Sequence, residues 1–294
     1  MEYLRDLFVV VLMGLLTTTA LRGQDTTASQ SPTSNGSRPA TPVYPLDGAM
    51  DAAGTVWIVD RNAPGVWKYS GDKLVLAFPG SKKLRQPLNA SRCLALAPNG
   101  TLYVGDPATR EVYMKTEANE MKPIMSGIIG IPMDIAVASN GTIYVADAER
   151  RVVWSKAPDA EKPTVFADAN PSGLFVDGQD RLWVVSKDEA QLQRFDPAGK
   201  KEILVASRTF EYPHQVVVDK SGTAWITDGY KKALWRLAEG GKPELVFSGA
   251  PLQNPVGLFL VDDRPVLVDP HAQSVFKFKA DSTPELWFKI TFPQ

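Results

Sequence analysis

Gly54-Thr-Val-Trp-Ile-Val-Asp60 decides how the rest of the chain is read, because it returns. Gly100-Thr-Leu-Tyr-Val-Gly-Asp106, Gly141-Thr-Ile-Tyr-Val-Ala-Asp147 and Gly222-Thr-Ala-Trp-Ile-Thr-Asp228 share its Gly-Thr turn, its central aromatic and its closing carboxylate. Asp180-Arg-Leu-Trp-Val-Val-Ser186 and Asp263-Arg-Pro-Val-Leu-Val-Asp269 are weaker copies in the same phase. The closing positions follow one another at 46, 41, 39, 42 and 41 residues. Self-similarity at one period near forty residues marks a repeat architecture.

Other columns keep this phase. Three residues before each closing position stand Trp57, Tyr103, Tyr144, Trp183, Trp225 and Val266; seven after it stand Trp67, Tyr113, Trp154, Gln193, Trp235 and Phe276. A proline precedes most copies by about fifteen residues, at Pro45, Pro132, Pro171, Pro213 and, shifted, Pro255. Within one unit the apolar runs read as four short strands, in the fifth unit Gln215–Val218, Ala224–Thr227, Ala233–Leu237 and Glu244–Phe247. Tight polar turns separate them, as in antiparallel hairpins. A lone four-stranded sheet is marginal, and packing copies around an axis buries both faces. The expected fold is all-β, a six-bladed β-propeller of four-stranded antiparallel blades, with the aromatic columns packed between blades. Every repeat supplies its own four strands, so the ring is expected to close by side-chain packing of the first blade on the sixth.

The proline at the head of the inner strand, the Gly-Thr turn and the aromatic-x-x-Asp ending resemble those of NHL-repeat propellers. The resemblance runs from Tyr44 to about Ile290. It implies the fold; propellers of this kind serve as enzymes, scaffolds and binding proteins, so function rests on the site.

Composition narrows the classes. Lys and Arg number 32 against 33 Asp and Glu, for a net charge of -1, which argues against a nucleic-acid binder needing surplus cations for phosphates. Cys93 is the sole cysteine, which excludes an intrachain disulfide; His214 and His271 are the only histidines, which excludes three-histidine metal sites. Leu7–Leu16 is apolar but too short to span a bilayer, and it fits the core of a signal peptide. The expected organisation is a signal peptide over 1–23, a flexible Ser/Thr/Pro-rich linker over 24–43 and the propeller over 44–294. The protein is expected to be exported, periplasmic or secreted, without a transmembrane helix in the mature chain, and monomeric.

Ligands of such folds gather at the channel mouth where inner strands begin. The position after the repeat proline forms a first ring: Leu46, Arg92, Met133, Ser172, His214 and Val256. The next forms a second: Asp47, Cys93, Asp134, Gly173, Gln215 and Gly257. Strand alternation is expected to turn one ring or the other inward. Gluconolactonase-like propellers are the enzymatic relatives to test, and that resemblance implies carboxylate and amide ligands for a divalent cation where this chain has Leu46, Ser172 and His214. A hard cation wants several oxygens, so no metal or other cofactor is expected, a divalent cation being disfavoured unless Asp47 and Asp134 supply it. Zinc-dependent amidating lyases, a second propeller class, would require three histidines.

Two readings remain. In one, Arg92, Ser172 and His214 hold a carboxylate or phosphate by charge-assisted hydrogen bonds, with Arg110, Arg150, Arg151, Lys231 and Lys232 widening a positive mouth. The partner is then a small anionic molecule, or alternatively a cell-envelope protein, and His214 is expected to strengthen binding as it protonates near pH ~6.5. In the other, a hydrolase or lyase, His214 is the catalytic residue, with Asp134 or His271 assisting. The closing aspartates are expected to tie down loops by accepting backbone N–H groups.

Overall fold

The computed structural model describes residues 43–292; the expected signal peptide, and the linker as far as residue 42, lie outside them. The described residues form twenty-four strands in six sheets of four, and each sheet runs in sequence order from the axis outward. In the fifth blade these are Pro213–Val218, Ala224–Asp228, Ala233–Leu237 and Glu244–Ser248, one or two residues longer than expected at three ends. The inner strands are Pro45–Met50, Cys93–Leu96, Pro132–Val137, Pro171–Val176, Pro213–Val218 and Gly257–Val261. Each packs against the next, and the sixth against the first, so the ring closes. No described helix is long and apolar enough to cross a membrane.

The Gly-Thr turn is explained by backbone geometry. Gly54, Gly100, Gly141 and Gly222 sit at φ between 80° and 84°, where a side chain is disfavoured. Asp180 and Asp263 hold the same place in the weaker copies at φ 58° and 65°. Aspartate tolerates that region better than most residues, so the turn survives the substitution.

The core divides into six apolar clusters, one at each seam between blades. Trp57, Tyr103, Tyr144, Trp183, Trp225 and Val266 enter the six in order, each facing the following blade. The aromatic column is therefore inter-blade packing, but its members are unequal. Trp183 is 1% exposed, while Trp57 and Trp225 are only half-buried. At the seam between the last and first blades, Phe288 stacks on Tyr69 and Phe292 lies 4.3 Å from Trp67 between ring centroids. No strand is exchanged across that seam.

The closing aspartates bridge two loops at the same end of each blade. Asp228 accepts from Glu211 N (2.8 Å) and Tyr212 N (3.0 Å) before the inner strand, and from Lys231 N (3.2 Å) after the second. Asp60, Asp106, Asp147 and Asp269 do the same in their blades. In the fourth blade, where Ser186 replaces the carboxylate, Asp188 takes Asn170 N at 3.1 Å, and its own N–H goes to Ser186 Oγ. These staples bring the entry loops and exit loops of all six blades to one face, where the channel opens.

Candidate functional site at the channel mouth

Both inner rings reach the channel. In the first blade Pro45 pairs with Asp60 and Asp47 with Val59, leaving Leu46 as an extra residue. Met133 and Ser172 are extra in the same way, and in the fifth blade two residues, His214 and Gln215, face one. A bulge of this kind breaks the strict alternation of a strand. The expectation that only one ring faces inward is therefore corrected. Five of the six first-ring residues line the mouth, Asp47, Asp134 and Gln215 of the second ring line the lower channel, and members of both rings meet at a throat. The mouth encloses about 540 Å³, the throat about 20 Å³ and the lower funnel about 290 Å³.

The second-ring acids are committed to the scaffold. Asp47 accepts from Gly48 N (2.8 Å) and from Leu94 N (3.0 Å) on the next blade. Asp134 accepts from Leu174 N on the next blade and from the Gln215 side chain. Both are buried. Burial pushes the Asp134 carboxyl up to about 7 against the opposing pull of these donors and of Arg92. Asp47 is raised well above the ordinary carboxylate range, by burial first and by Asp134 second. Among the described residues no three His, Cys, Asp or Glu side chains are grouped to hold a metal ion.

Arg92 is in the opposite condition. It is largely enclosed, and its Nε is buried with no hydrogen-bond partner. No ion pair within 4.0 Å reaches it among the described residues, because Asp47 and Asp134 have spent their oxygens on backbone N–H groups. Burial lowers its pKa, and the nearby acidic groups oppose that shift. His214 stands beside it. Its Nδ1 is also buried without a partner, and its ring meets Tyr212 edge-on at 5.0 Å. Burial, then Arg92 and Lys187, depress His214 to about 3. The expectation that His214 titrates near 6.5 is thus overturned: it is neutral at ordinary pH, and the group raised to about 7 is Asp134, which lines the lower funnel. Ser91 Oγ, adjoining Arg92, is a third buried polar atom without a partner.

Other expected residues are placed differently. Ser172 lines the throat rather than the mouth, and its hydroxyl donates to Pro213 O at 2.9 Å, so its proton is already used. His271 is exposed and lies 3.4 Å from the Tyr44 hydroxyl. No hydrogen bond or ring contact joins His214, Asp134 and His271 to one another among the described residues. None of the five loop cations Arg110, Arg150, Arg151, Lys231 and Lys232 lines the mouth. Three are ion-paired elsewhere: Arg110 with Glu149 on the next blade, Arg151 with Asp188 at 3.0 Å and Lys231 with Glu211 at 3.5 Å. The cations that line it are Arg92 and Arg61, the latter 6.0 Å over the Tyr44 ring; Lys187 stands 4.8 Å over the Tyr212 ring and 3.2 Å from its hydroxyl.

One ring of the mouth escaped the sequence reading. The residues two positions ahead of the first ring are Tyr44, Ala90, Ile131, Asn170, Tyr212 and Asn254, and five of these six line the mouth. Their signal was that fixed offset.

No protein-family model matches the sequence, and no curated protein matches it. Solved structures do resemble the fold. Virginiamycin B lyase from Staphylococcus aureus superposes with a TM-score of 0.65 at 15% identity, covering 85% of each chain. A gluconolactonase from Xanthomonas campestris gives 0.65 at 16% identity over 78% of this chain and 84% of that one. A chain of a nidogen/laminin complex gives 0.62 at 16% identity over 83% and 91%. Fold and neighbours together define the class, a six-bladed β-propeller, in which lyases, lactonases and protein-binding modules all occur.

Proposed function

We propose that this chain is a binding propeller whose mouth takes a small anion on Arg92 and His214. The observation that carries the reading is the buried, unpartnered Nε of Arg92. A guanidinium nitrogen held away from water without an acceptor costs free energy, and the half-buried group lines the mouth where an anionic ligand can approach its other nitrogens. A bound carboxylate would receive charge-assisted hydrogen bonds from Arg92, and His214, in the tautomer with a proton on Nδ1, adds a neutral donor. The apolar run Leu7–Leu16 supports an exported protein, acting in the periplasm or outside the cell.

The hydrolase or lyase alternative has weaker support. An imidazole at about 3 is a poor base at neutral pH, and Asp134 lies behind the throat with its oxygens engaged.

The test is calorimetric titration with acetate, phosphate and succinate, and a turnover assay on lactones and esters with and without chelator. Saturable binding that is lost in Arg92→Ala, with no turnover, supports the reading. Equal binding in wild type and Arg92→Ala, or turnover dependent on His214, overturns it.

A further inference from the structure

The mouth combines a few polar groups with an apolar lining. Beside Arg92 and His214 its wall is made by Leu46 and Val256 from the first and sixth blades and by Pro107, Ile131 and Met133 from the second and third. Ile131 is 37% exposed although it lies within a cavity of about 540 Å³. Two of the other polar groups of the mouth are engaged within the protein: the Tyr212 hydroxyl by Lys187, and the Tyr44 hydroxyl by His271.

Resting on the anion-binding reading above, we propose that the ligand class is a monocarboxylate with an apolar aryl or alkyl body. Its carboxylate lies at Arg92 and His214, and its body fills the belt of Leu46, Ile131, Met133 and Val256. The argument is one of matching. Small-molecule sites join a mostly apolar lining to a few convergent polar groups that fix orientation, and this mouth sets Arg92 and His214 among apolar side chains in that way. A sugar acid would press its hydroxyls against side chains that offer no hydrogen bond, at a cost for every hydroxyl left unpaired. A short dicarboxylate would set its second charge in the same belt. An apolar body gains the burial of its own surface and of the wall.

The experiment is calorimetric titration of the purified chain with phenylacetate, hexanoate, gluconate, succinate and sulfate at one ionic strength. The expected result is that phenylacetate and hexanoate bind at least about ten-fold tighter than gluconate and succinate. Met133→Gln, and separately Ile131→Gln, should shrink that ratio several-fold without abolishing sulfate binding; a thermal melt of each variant checks that it is folded. Gluconate binding as tightly as phenylacetate, or a ratio unchanged in both folded variants, overturns this inference while leaving an anion site in place. Absence of binding by every one of the five overturns the anion site itself.

Discussion

The indole Nε1 of Trp183 donates to Asp177, six residues earlier, at 2.7 Å. Trp57 with Asp51 (2.9 Å) and Trp225 with Asp219 (2.8 Å) repeat the bond at the same spacing. Where the column carries tyrosine, at Tyr103 and Tyr144, the position six earlier is Ala97 and Ala138. The aspartate also accepts turn N–H groups, such as Arg181 N at 3.0 Å, so one carboxylate holds both the turn and the indole. These donors hold the Asp177 carboxyl below its ordinary pKa, although burial pushes the other way. Asp177→Ala should cost about 1–3 kcal/mol, the range for orphaning a buried donor. Urea unfolding measures it, and a loss of a few tenths would mean that the bond is dispensable.

The unequal burial of the aromatic column orders the tryptophan truncations. Trp183→Ala should cost about 3–5 kcal/mol, the range for deleting an enclosed large aromatic. Trp57→Ala and Trp225→Ala should cost less, because those side chains keep part of their surface in water. Three equal losses would show that exposure does not govern the column.

Arg92→Met should raise the unfolding free energy in the absence of ligand while removing the stabilisation that anions confer. The reason is that a hydrophobic side chain of similar length removes a buried nitrogen that has no acceptor. A less stable variant would mean that Arg92 is held by contacts stronger than those seen.

Asp134 and His214 set opposing pH dependences of stability. Asp134, raised to about 7, gives stability that is complete below its unfolded value of ~3.9 and is lost as pH rises through about 7. His214, lowered to about 3, gives stability that is complete above its unfolded value of ~6.5 and is lost as pH falls toward 3. Between these limits the two oppose each other, and the raised Asp47 acts in the same direction as Asp134. Replacing both acids, Asp47→Asn with Asp134→Asn, should unmask a stability that climbs from pH ~4 to ~6.5, approaching the one-proton slope of about 1.4 kcal/mol per pH unit. His214→Gln should unmask the reverse trend. Melting curves across pH that are parallel for all three proteins would contradict the assignment.

The same groups set the pH dependence of binding. Asp134, in the lower funnel, acts electrostatically on Asp47 and Arg92. Protonating Asp134 removes a negative charge competing for Arg92, so anion affinity should rise as pH falls through about 7 and should do so much less in Asp134→Asn. Titrations at pH 6 and 8 read this directly, and equal affinities at both would count against it.

The fold was legible because its determinants are local: a left-handed turn, an aromatic and a carboxylate recur within seven residues. Much of the site was legible too, since Met133 and His214 were placed by counting from the repeat proline and Arg92 by the phase of the repeat. What escaped depends on registers between strands and between blades. A bulge appears only when both strands are paired, as at Leu46 against Asp60 and Val59. The partners of Arg110 and Arg151 lie 39 and 37 residues onward, nearly one repeat away, and look like ordinary surface charges until the blades are set side by side. The depressed pKa of His214 likewise reflects enclosure that no single segment encodes.

The seam between the sixth and first blades carries a mechanical consequence. Five seams are bridged by continuous backbone; the sixth is held by the Tyr69–Phe288 stack, the Trp67–Phe292 contact and the apolar cluster around them. Tension applied between Val43 and Phe292 therefore loads dispersion and hydrophobic contact rather than a ladder of backbone hydrogen bonds, and the disc should part there before any blade is sheared. For the same reason the chain order is permutable. Joining those ends and cutting in an exposed connection such as that around Ala160 would move the break without removing a strand from any blade.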